Sequence, residues 1–175
     1  MTGSEYKWHV VYTMSRHEKR VKDDFRKLGI ETYLPLVKSF RIWSDRKKII
    51  DMPLFPNYLF VRISNREYHK ITDHPSLIGF VKSGNELSVI RDDVFDAMVK
   101  IVDERMDFTL WRNAVLPGVP VQVISGPLSG LKGVVTRIEG KSCLTVEIRP
   151  VNQIFLVRIQ EDHVVPLKGF AGARA

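Results

Sequence analysis

The fold of the C-terminal part of this chain follows from one stretch, Val119-Pro120-Val121-Gln122-Val123-Ile124-Ser125-Gly126-Pro127-Leu128-Ser129-Gly130-Leu131-Lys132-Gly133-Val134-Val135. Apolar and β-branched residues fill both ends of the stretch, and three glycines, Gly126, Gly130 and Gly133, stand between them. Glycine permits positive φ angles and a close approach of neighbouring backbone, as the corner of a small barrel requires. The pattern therefore predicts a strand, a tight loop and a returning strand.

Further short β-rich runs follow this stretch. They cover residues 133–138, 144–148 and 154–159. Strands of this length, at nearly regular spacing and without a helical period between them, predict a small barrel or sandwich. Prolines near the start of this region and its β-branched residues disfavour helix, so we expect no helical state of residues 115–175. A helix-dominated circular-dichroism spectrum of that fragment would contradict this expectation.

The N-terminal part opens with the apolar run Trp8-His9-Val10-Val11-Tyr12, which is typical of a strand. A helix is predicted next, because Ser15 and Glu18 have the spacing of a capping box and Gly29 is a C-terminal stop signal. One apolar stripe runs along this helix: Val21, Phe25 and Leu28.

The remaining N-terminal elements alternate in the same way. The patterns predict strands at 31–37, 49–54 and 58–63, a short helix opened by Ser64 and Glu67 and closed by Pro75, a hairpin of 79–82 with 87–90, and a helix at 91–106. This order predicts an open sheet with helices packed on it, an α+β fold. We expect an N-terminal domain at 1–106, a linker at 107–116 and a β-barrel domain at 117–175.

Composition excludes several classes of protein. With 175 residues, of which 44% are hydrophobic and 27% charged, the chain is expected to be globular. It has no apolar run of signal-peptide or membrane-spanning length, so we expect a soluble cytoplasmic protein without a membrane partner. The net charge of +7 permits nucleic-acid contact but does not require it.

Catalytic and metal-binding interpretations find no support. Gly140-Lys141-Ser142 resembles the end of a phosphate-binding loop, but that motif requires glycine where Val135 stands. Cys143, the single cysteine, lies in a predicted strand and suits a core position. The five histidines lack metal-ligand spacing: His9, His17, His69, His74 and His163. We expect neither an enzyme nor a cofactor.

A second informative stretch is Pro53-Leu54-Phe55-Pro56-Asn57-Tyr58-Leu59-Phe60-Val61. Its aromatic residues are equally compatible with an ordinary core. Because side chains alternate along a strand, Tyr58 and Phe60 lie on one side and Leu59 on the other. The stretch alone does not separate core residues from surface residues.

Together the two stretches resemble a known family. The glycine-spaced stretch resembles the KOW motif, and Leu54–Val61 resembles the Leu-Phe-Pro-x-Tyr segment of the NusG N-terminal domain. The opening strand, the basic helix and Ile78-Gly79-Phe80-Val81 agree, so the resemblance runs from about residue 7 to residue 167. With Asn57 the segment is similar to the specialised, RfaH-like paralogues, since general NusG usually has glycine there.

The resemblance implies a transcription elongation or antitermination factor. Such a factor has an SH3-like KOW barrel, acts as a monomer, binds RNA polymerase through its N-terminal domain and reduces pausing or termination. The candidate polymerase-binding residues by position are Tyr12, Phe55, Pro56, Tyr58 and Phe60. Exposed aromatic residues would serve as anchors there. We therefore expect that replacing Phe55 and Tyr58 by alanine preserves the fold and abolishes polymerase binding.

The resemblance also implies contact with the non-template DNA strand. The first group of candidate residues is Arg16, His17, Lys19 and Arg20. A second basic group, accompanied by Phe40 and Trp43, combines charge with stacking and consists of Lys38, Arg41, Arg46, Lys47 and Lys48. A solvated helix face and a merely soluble hairpin explain these residues equally well.

The remaining implied partners are less specific. His69 and Lys70 align with an element that contacts the opposite side of the polymerase cleft in RfaH, where a His-Thr-Thr run stands; only His69 matches. The barrel is expected to recruit a small-subunit ribosomal protein or termination factor Rho. Two alternatives stay open: a KOW-bearing RNA- or ribosome-binding module, and a general NusG.

Overall fold

The computed structural model describes residues 5–43, 46–112 and 116–167, with backbone only for 40–43 and 46–48. The chain divides into two compact units, Met1–Asp92 and Asp93–Ala175. In the described residues, three α-helices alternate along the chain with strands that pair in antiparallel sheets, which confirms the predicted α+β class. The sequence-based domain boundaries stay a proposal.

The first unit holds eleven elements in the described residues. They are β1 (Lys7–Thr13), α1 (Glu18–Lys27), β2 (Glu31–Tyr33), β3 (Leu36–Trp43), β4 (Arg46–Pro53), β5 (Tyr58–Ile63), α2 (Tyr68–Thr72), β6 (Leu77–Phe80), β7 (Lys82–Ser83), β8 (Glu86–Leu87) and β9 (Val89–Ile90). The central sheet has the order β2-β5-β1-β6, and β9 also pairs with β1. Two further pairs, β3–β4 and β7–β8, form separate antiparallel ladders.

Both faces of the central strands are buried. On one face, Val11 is paired with Leu59, and both pack with Val21 and Phe25 of α1. The other members of this core are Ile30, Leu34, Val61, Ile63 and Ile71. On the opposite face, Val10 and its partner Phe60 are fully buried as well. This double burial explains why β1 and β5 are nearly continuous apolar runs.

The start of α1 differs from the expectation. The helix begins at Glu18 with His17 at the N-cap, and no side chain caps it. The predicted capping box of Ser15 and Glu18 is therefore wrong, because the Glu18 carboxylate binds a distant loop instead. The predicted C-terminal stop is confirmed: Gly29 has a φ of 76°, and Ile30 N donates to Phe25 O. Leu28 is not on the buried stripe, since half of its surface is exposed.

The basic excursion between Lys38 and Lys48 is part of a regular ladder. Strand β3 pairs with β4 from Leu36↔Pro53 to Trp43↔Arg46. The expected strand at 49–54 therefore begins earlier, and the strand at 31–37 is broken at Leu34-Pro35 into β2 and β3.

The second unit holds α3 and a six-stranded sheet. Its elements are α3 (Asp92–Asp103, whose first residue ends the first unit), β10 (Phe108–Arg112), β11 (Val119–Val123), β12 (Lys132–Ile138), β13 (Lys141–Ile148), β14 (Gln153–Arg158) and β15 (Val164–Pro166). The antiparallel order is β10-β14-β13-β12-β11-β15. One face buries Leu144, Val146 and Ile148 of β13 with Phe155 and Val157 of β14. These are the strands that the predicted barrel requires. One short 3-10 turn lies before β14 and another lies before β15.

Half of the segment 107–116, which we expected to be a linker, forms a strand. Residues 108–112 form β10, an edge strand that pairs with β14. Phe108 and Leu110 pair with Val157 and Phe155 on the core face, which gives the strand its apolar contacts. The sequence signal was weak because Trp111 interrupts the alternation of apolar and polar residues.

The three glycines of the opening stretch have the predicted geometry. Gly126 and Gly130 have φ angles of 83° and 89°, in the region that glycine favours. Gly133 instead permits close packing, because a Cβ atom there would lie 2.9 Å from Leu144 Cδ1. Its neighbours in the loop, Leu128 and Leu131, are buried.

Candidate binding surface

Two tyrosines form the exposed part of the predicted polymerase-binding segment. Tyr12 of β1 and Tyr58 of β5 are direct cross-strand partners, and their rings meet edge to face with centroids 5.2 Å apart. Both side chains are half-buried. Pro56, in the turn before β5, is exposed beside them. The register therefore brings three of the five predicted residues to an accessible surface.

The other two predicted residues lie in the core. Phe55 is 3% exposed and Phe60 is fully buried, and their ring centroids lie 6.0 Å apart. The expectation that Phe55 can be truncated without loss of the fold is contradicted by this burial, because removing a buried phenyl ring leaves a cavity. Tyr58 and Phe60 do share one side of β5, as predicted, but they differ in exposure.

The turn that presents the tyrosines is held by a buried carboxylate. Glu18 is 4% exposed, and its Oε1 accepts a hydrogen bond of 2.7 Å from the backbone N of Asn57. Asn57 O in turn accepts from Thr13 N at 2.7 Å, so the turn is tied to both α1 and β1. Sequence reasoning noticed Glu18 but assigned it to the wrong partner, because nothing in the local pattern indicates a contact with residue 57.

Asn57 adds a contact through its own side chain. Its φ is 70°, a conformation that asparagine tolerates better than most residues other than glycine. Its Nδ2 donates to Tyr12 Oη at 3.2 Å. Glycine would allow the same backbone turn but could not make this contact. The asparagine therefore links the turn to the tyrosine pair.

The basic residues at the start of α1 fall into two groups. Lys19 donates from Nζ to Asp51 O at 2.9 Å, and His17 Nδ1 lies 2.9 Å from Ser76 Oγ, so both contact the protein itself. Arg16 and Arg20 are exposed. Lys19 is exposed as well, so the accessible part of the predicted DNA-binding group is Arg16, Lys19 and Arg20.

An acidic residue offsets part of this charge. Asp24 Oδ2 lies 3.9 Å from Arg20 Nε, and Asp24 Oδ1 accepts from Lys27 Nζ at 2.8 Å. The hydrogen bond from Lys27 and a second contact with His74 lower the pKa of Asp24 below its usual value. The carboxylate is thus ionised at neutral pH, which reduces the local positive potential near Arg20.

The second basic group is described only in part. Lys38 is exposed. The side chains of Arg41, Arg46, Lys47 and Lys48 lie outside the described residues, and only their backbone pairing across the β3–β4 ladder is given. Their role in nucleic-acid contact stays a prediction.

His69 and Lys70 lie together on α2. Both are exposed, and Lys70 Nζ lies 3.8 Å from Glu67 Oε1. Glu67 Oε2 also accepts from Ser64 N at 3.2 Å, but α2 begins at Tyr68 with Glu67 at the N-cap, so the predicted opening of the helix at Ser64 is wrong. The proposed second polymerase contact is accessible but remains a prediction.

Two other histidines, His9 and His74, have structural partners. His9 Nδ1 lies 3.0 Å from Ser88 O, and burial lowers the pKa of His9. His74 Nε2 lies 3.4 Å from Asp24 Oδ2, and its ring packs edge to face with Phe25. Over the described ranges, no group of three histidine, cysteine or acidic side chains is close enough to hold a metal ion. Nor does any helix in those ranges have the length and apolar character needed to cross a membrane.

Replacing Glu18 by alanine is expected to lower the free energy of unfolding by about 1–3 kcal/mol, because the buried N–H of Asn57 loses its acceptor. Urea denaturation would measure the loss. Glu18→Gln is the matched control, since its side-chain oxygen can still accept that hydrogen bond and should retain most of the stability. Equal stability of the alanine variant and the native chain would show that the contact does not hold the turn.

Replacing Asn57 by glycine and by alanine should have different effects. Asn57→Gly preserves the positive φ and removes only the contact with Tyr12, so we expect a change of at most about 0.5–1 kcal/mol in the free energy of unfolding. Asn57→Ala also forces a Cβ into the left-handed region, which costs roughly 1 kcal/mol more. Thermal or urea unfolding of the two variants tests this order, and a more stable alanine variant would contradict it.

Comparisons with known proteins identify a family model and related sequences. The family model described as transcription termination factor nusG matches residues 6–99. The transcription termination/antitermination protein NusG of Xylella fastidiosa (strain 9a5c) is 24% identical over 153 residues, covering 75% of this chain and 83% of that protein. Its counterpart in Chlamydia pneumoniae is 21% identical over 144 residues, covering 76% and 79%.

A solved structure titled as the domain interaction in Thermotoga maritima NusG is also similar. It is 24% identical, has a TM-score of 0.49 and covers 94% of this chain and 98% of that one. Because the family model matches more than half of the chain, from β1 into α3, the chain belongs to the NusG family of transcription termination and antitermination factors.

Proposed function

We propose that this NusG-family factor binds RNA polymerase through the surface formed by Tyr12, Pro56 and Tyr58, and that it reduces pausing or termination. The observation that carries the proposal is the half-exposed tyrosine pair, presented on a turn that a buried carboxylate holds. Rigid, partly exposed aromatic residues supply large contact area at low cost in side-chain entropy.

The buried neighbours support this surface from beneath. Phe55 and Phe60 pack under the turn and fix the backbone that carries the tyrosines. The binding surface of the proposal is therefore smaller than the resemblance implied, and it contains no buried member.

We propose that Arg16 and Arg20 contact the exposed non-template DNA strand. Both are accessible: Arg16 lies in the turn that follows β1, and Arg20 lies in the first turn of α1. Phosphate contacts by two arginines would make DNA binding weaken with rising salt. Further contacts with the polymerase complex would come from the basic residues of β3 and β4 and from His69 and Lys70, if these side chains face it.

We propose that the second sheet recruits another protein, either a small-subunit ribosomal protein or Rho. The KOW-type loop supports the assignment of a recruiting module. We also propose that the factor acts on few operons, since Asn57 resembles the specialised paralogues. Chromatin immunoprecipitation with sequencing tests this: signal on a few operons supports a specialist, and genome-wide signal overturns that part of the proposal.

Purification of the tagged full chain tests polymerase binding directly. The expected result is retention of core RNA polymerase after RNase treatment and removal of ribosomes. The alternative function, a KOW-bearing RNA- or ribosome-binding module, predicts the opposite: association with ribosomes or RNA that survives removal of polymerase. Retention of ribosomes alone would overturn the proposal.

A further inference from the structure

Strand β10 covers an edge that is otherwise strongly apolar. In β14, residues 153–157 are all buried, with Phe155 fully so and Val157 1% exposed. Among the described strands, β10 pairs with β14 alone and closes that end of the sheet. An uncovered apolar edge is a template for pairing with another chain. Strand β10 therefore decides whether the β14 edge is available.

The side chains of β10 are less buried than those of the β14 edge that it covers. Phe108 and Leu110 are half-buried, and Thr109, Trp111 and Arg112 are exposed. Its best contacts are the rings of Phe108 and Phe155, with centroids 5.0 Å apart, and an ion pair of 2.8 Å between Asp107 and Arg158. That ion pair is exposed on both sides and so contributes little.

The chain immediately before β10 is held by hydrogen bonds that do not involve β10. Helix α3 ends with its own hydrogen bonds, from Arg105 N to Val102 O and from Met106 N to Ile101 O. Arg105 has a φ of 55°, as the left-handed residue of such a cap does. Separation of β10 from β14 would break none of these bonds.

The chain after β10 is also anchored independently. Leu116 packs on the cluster of Cys143, Ile154 and Leu156, and Pro117 O accepts from Thr136 Oγ1 at 2.8 Å. These contacts place the start of β11 on the sheet without the help of β10. On both sides of β10 the chain is therefore held by contacts that do not involve that strand.

From this geometry we propose that β10 is a removable guard strand, and that the β14 edge beneath it is a docking site for an extended segment of a partner protein. Strand β10 itself indicates which segment the edge accepts. It is an antiparallel strand with large apolar side chains, Phe108 and Leu110, at alternate positions. The partner displaces β10 and replaces its backbone hydrogen bonds. This inference does not depend on polymerase binding.

Amide hydrogen exchange of the full chain tests whether the guard strand opens separately. We expect amides of the β10–β14 ladder to exchange at least about tenfold faster than those of the β12–β13 ladder, because they open without global unfolding. Leu110→Ala should widen the difference by a further factor of about ten, whereas Thr109→Ala, on the exposed face, should change it little. Equal protection of the two ladders, or equal acceleration of both by Leu110→Ala, would overturn the proposal.

A peptide tests the docking site. The probe is a fluorescent synthetic peptide with the sequence of residues 106–112, added to the native chain and to a Phe108→Asp, Leu110→Asp variant. Exchange protection of the β12–β13 ladder shows that the variant is folded. We expect the peptide to bind the variant at least tenfold more tightly than it binds the native chain. A control peptide that carries the same two aspartates should not bind the variant. A folded variant that does not bind the peptide would overturn the docking site.

Discussion

The Tyr12→Ala, Tyr58→Ala double variant is expected to bind core RNA polymerase at least about a hundredfold more weakly than the native chain. Truncation of an aromatic anchor at the centre of an interface costs about 2 kcal/mol or more, and each 1.4 kcal/mol is a factor of ten in the dissociation constant. Fluorescence anisotropy of the labelled chain against core polymerase would measure the effect. Because both side chains are half-buried, the loss of fold stability should be modest.

The chain offers a matched control for this experiment. Tyr6, immediately before β1, is 51% exposed and lies at the opposite end of that strand from Tyr12. Tyr6→Ala should bind polymerase as the native chain does. Replacing both Tyr12 and Tyr58 by phenylalanine keeps the rings and removes the hydroxyl that accepts from Asn57, so it separates ring contacts from hydroxyl contacts. Unchanged affinity of a folded double alanine variant would exclude this surface.

Local pattern was sufficient for much of the fold. Strand β5 runs from Tyr58 to Ile63, as its β-branched and aromatic run predicts, and α1 ends where Gly29 indicates. The glycine loop of the second sheet has the positive φ angles expected at Gly126 and Gly130. Each of these features depends on the conformational preferences of neighbouring residues, which the sequence displays directly.

Features that depend on distant partners could not be predicted. Glu18 has the spacing of a capping box with Ser15, yet it binds Asn57, far along the chain. Strand β10 is stabilised mainly by Phe155 and Val157 of β14, and its own alternation is weak. In both cases tertiary contact overrides the local signal, and a single sequence carries no trace of which distant residue supplies it.

The division of the aromatic segment into surface and core is a further example. Alternation correctly places Tyr58 and Phe60 on one side of β5, but exposure depends on what covers that side at each position along the strand. Tyr58 lies at the end of the strand beside the turn, whereas Phe60 lies two residue pairs further in, opposite the fully buried Val10. The candidate polymerase contact therefore lies at the margin of a core, where a small change in register would alter it.

Phe55→Ala is expected to lower the free energy of unfolding by about 3–5 kcal/mol, because the side chain is 3% exposed and its removal leaves a cavity against Phe60. Urea denaturation of the full chain would measure the loss, and Phe55→Leu, which fills part of the cavity, should lose less. Pro56→Ala is the control in the same turn, since Pro56 is exposed and its truncation leaves no cavity.

The same variant separates a supporting role of Phe55 from direct contact with polymerase. If Phe55 supports the tyrosine surface from beneath, binding should weaken in Phe55→Ala along with stability, and Phe55→Leu should restore both together. Loss of polymerase binding with unchanged stability would instead place Phe55 in the interface. That result would require the buried ring to become exposed when polymerase binds, since its side chain is inaccessible in the structure described here.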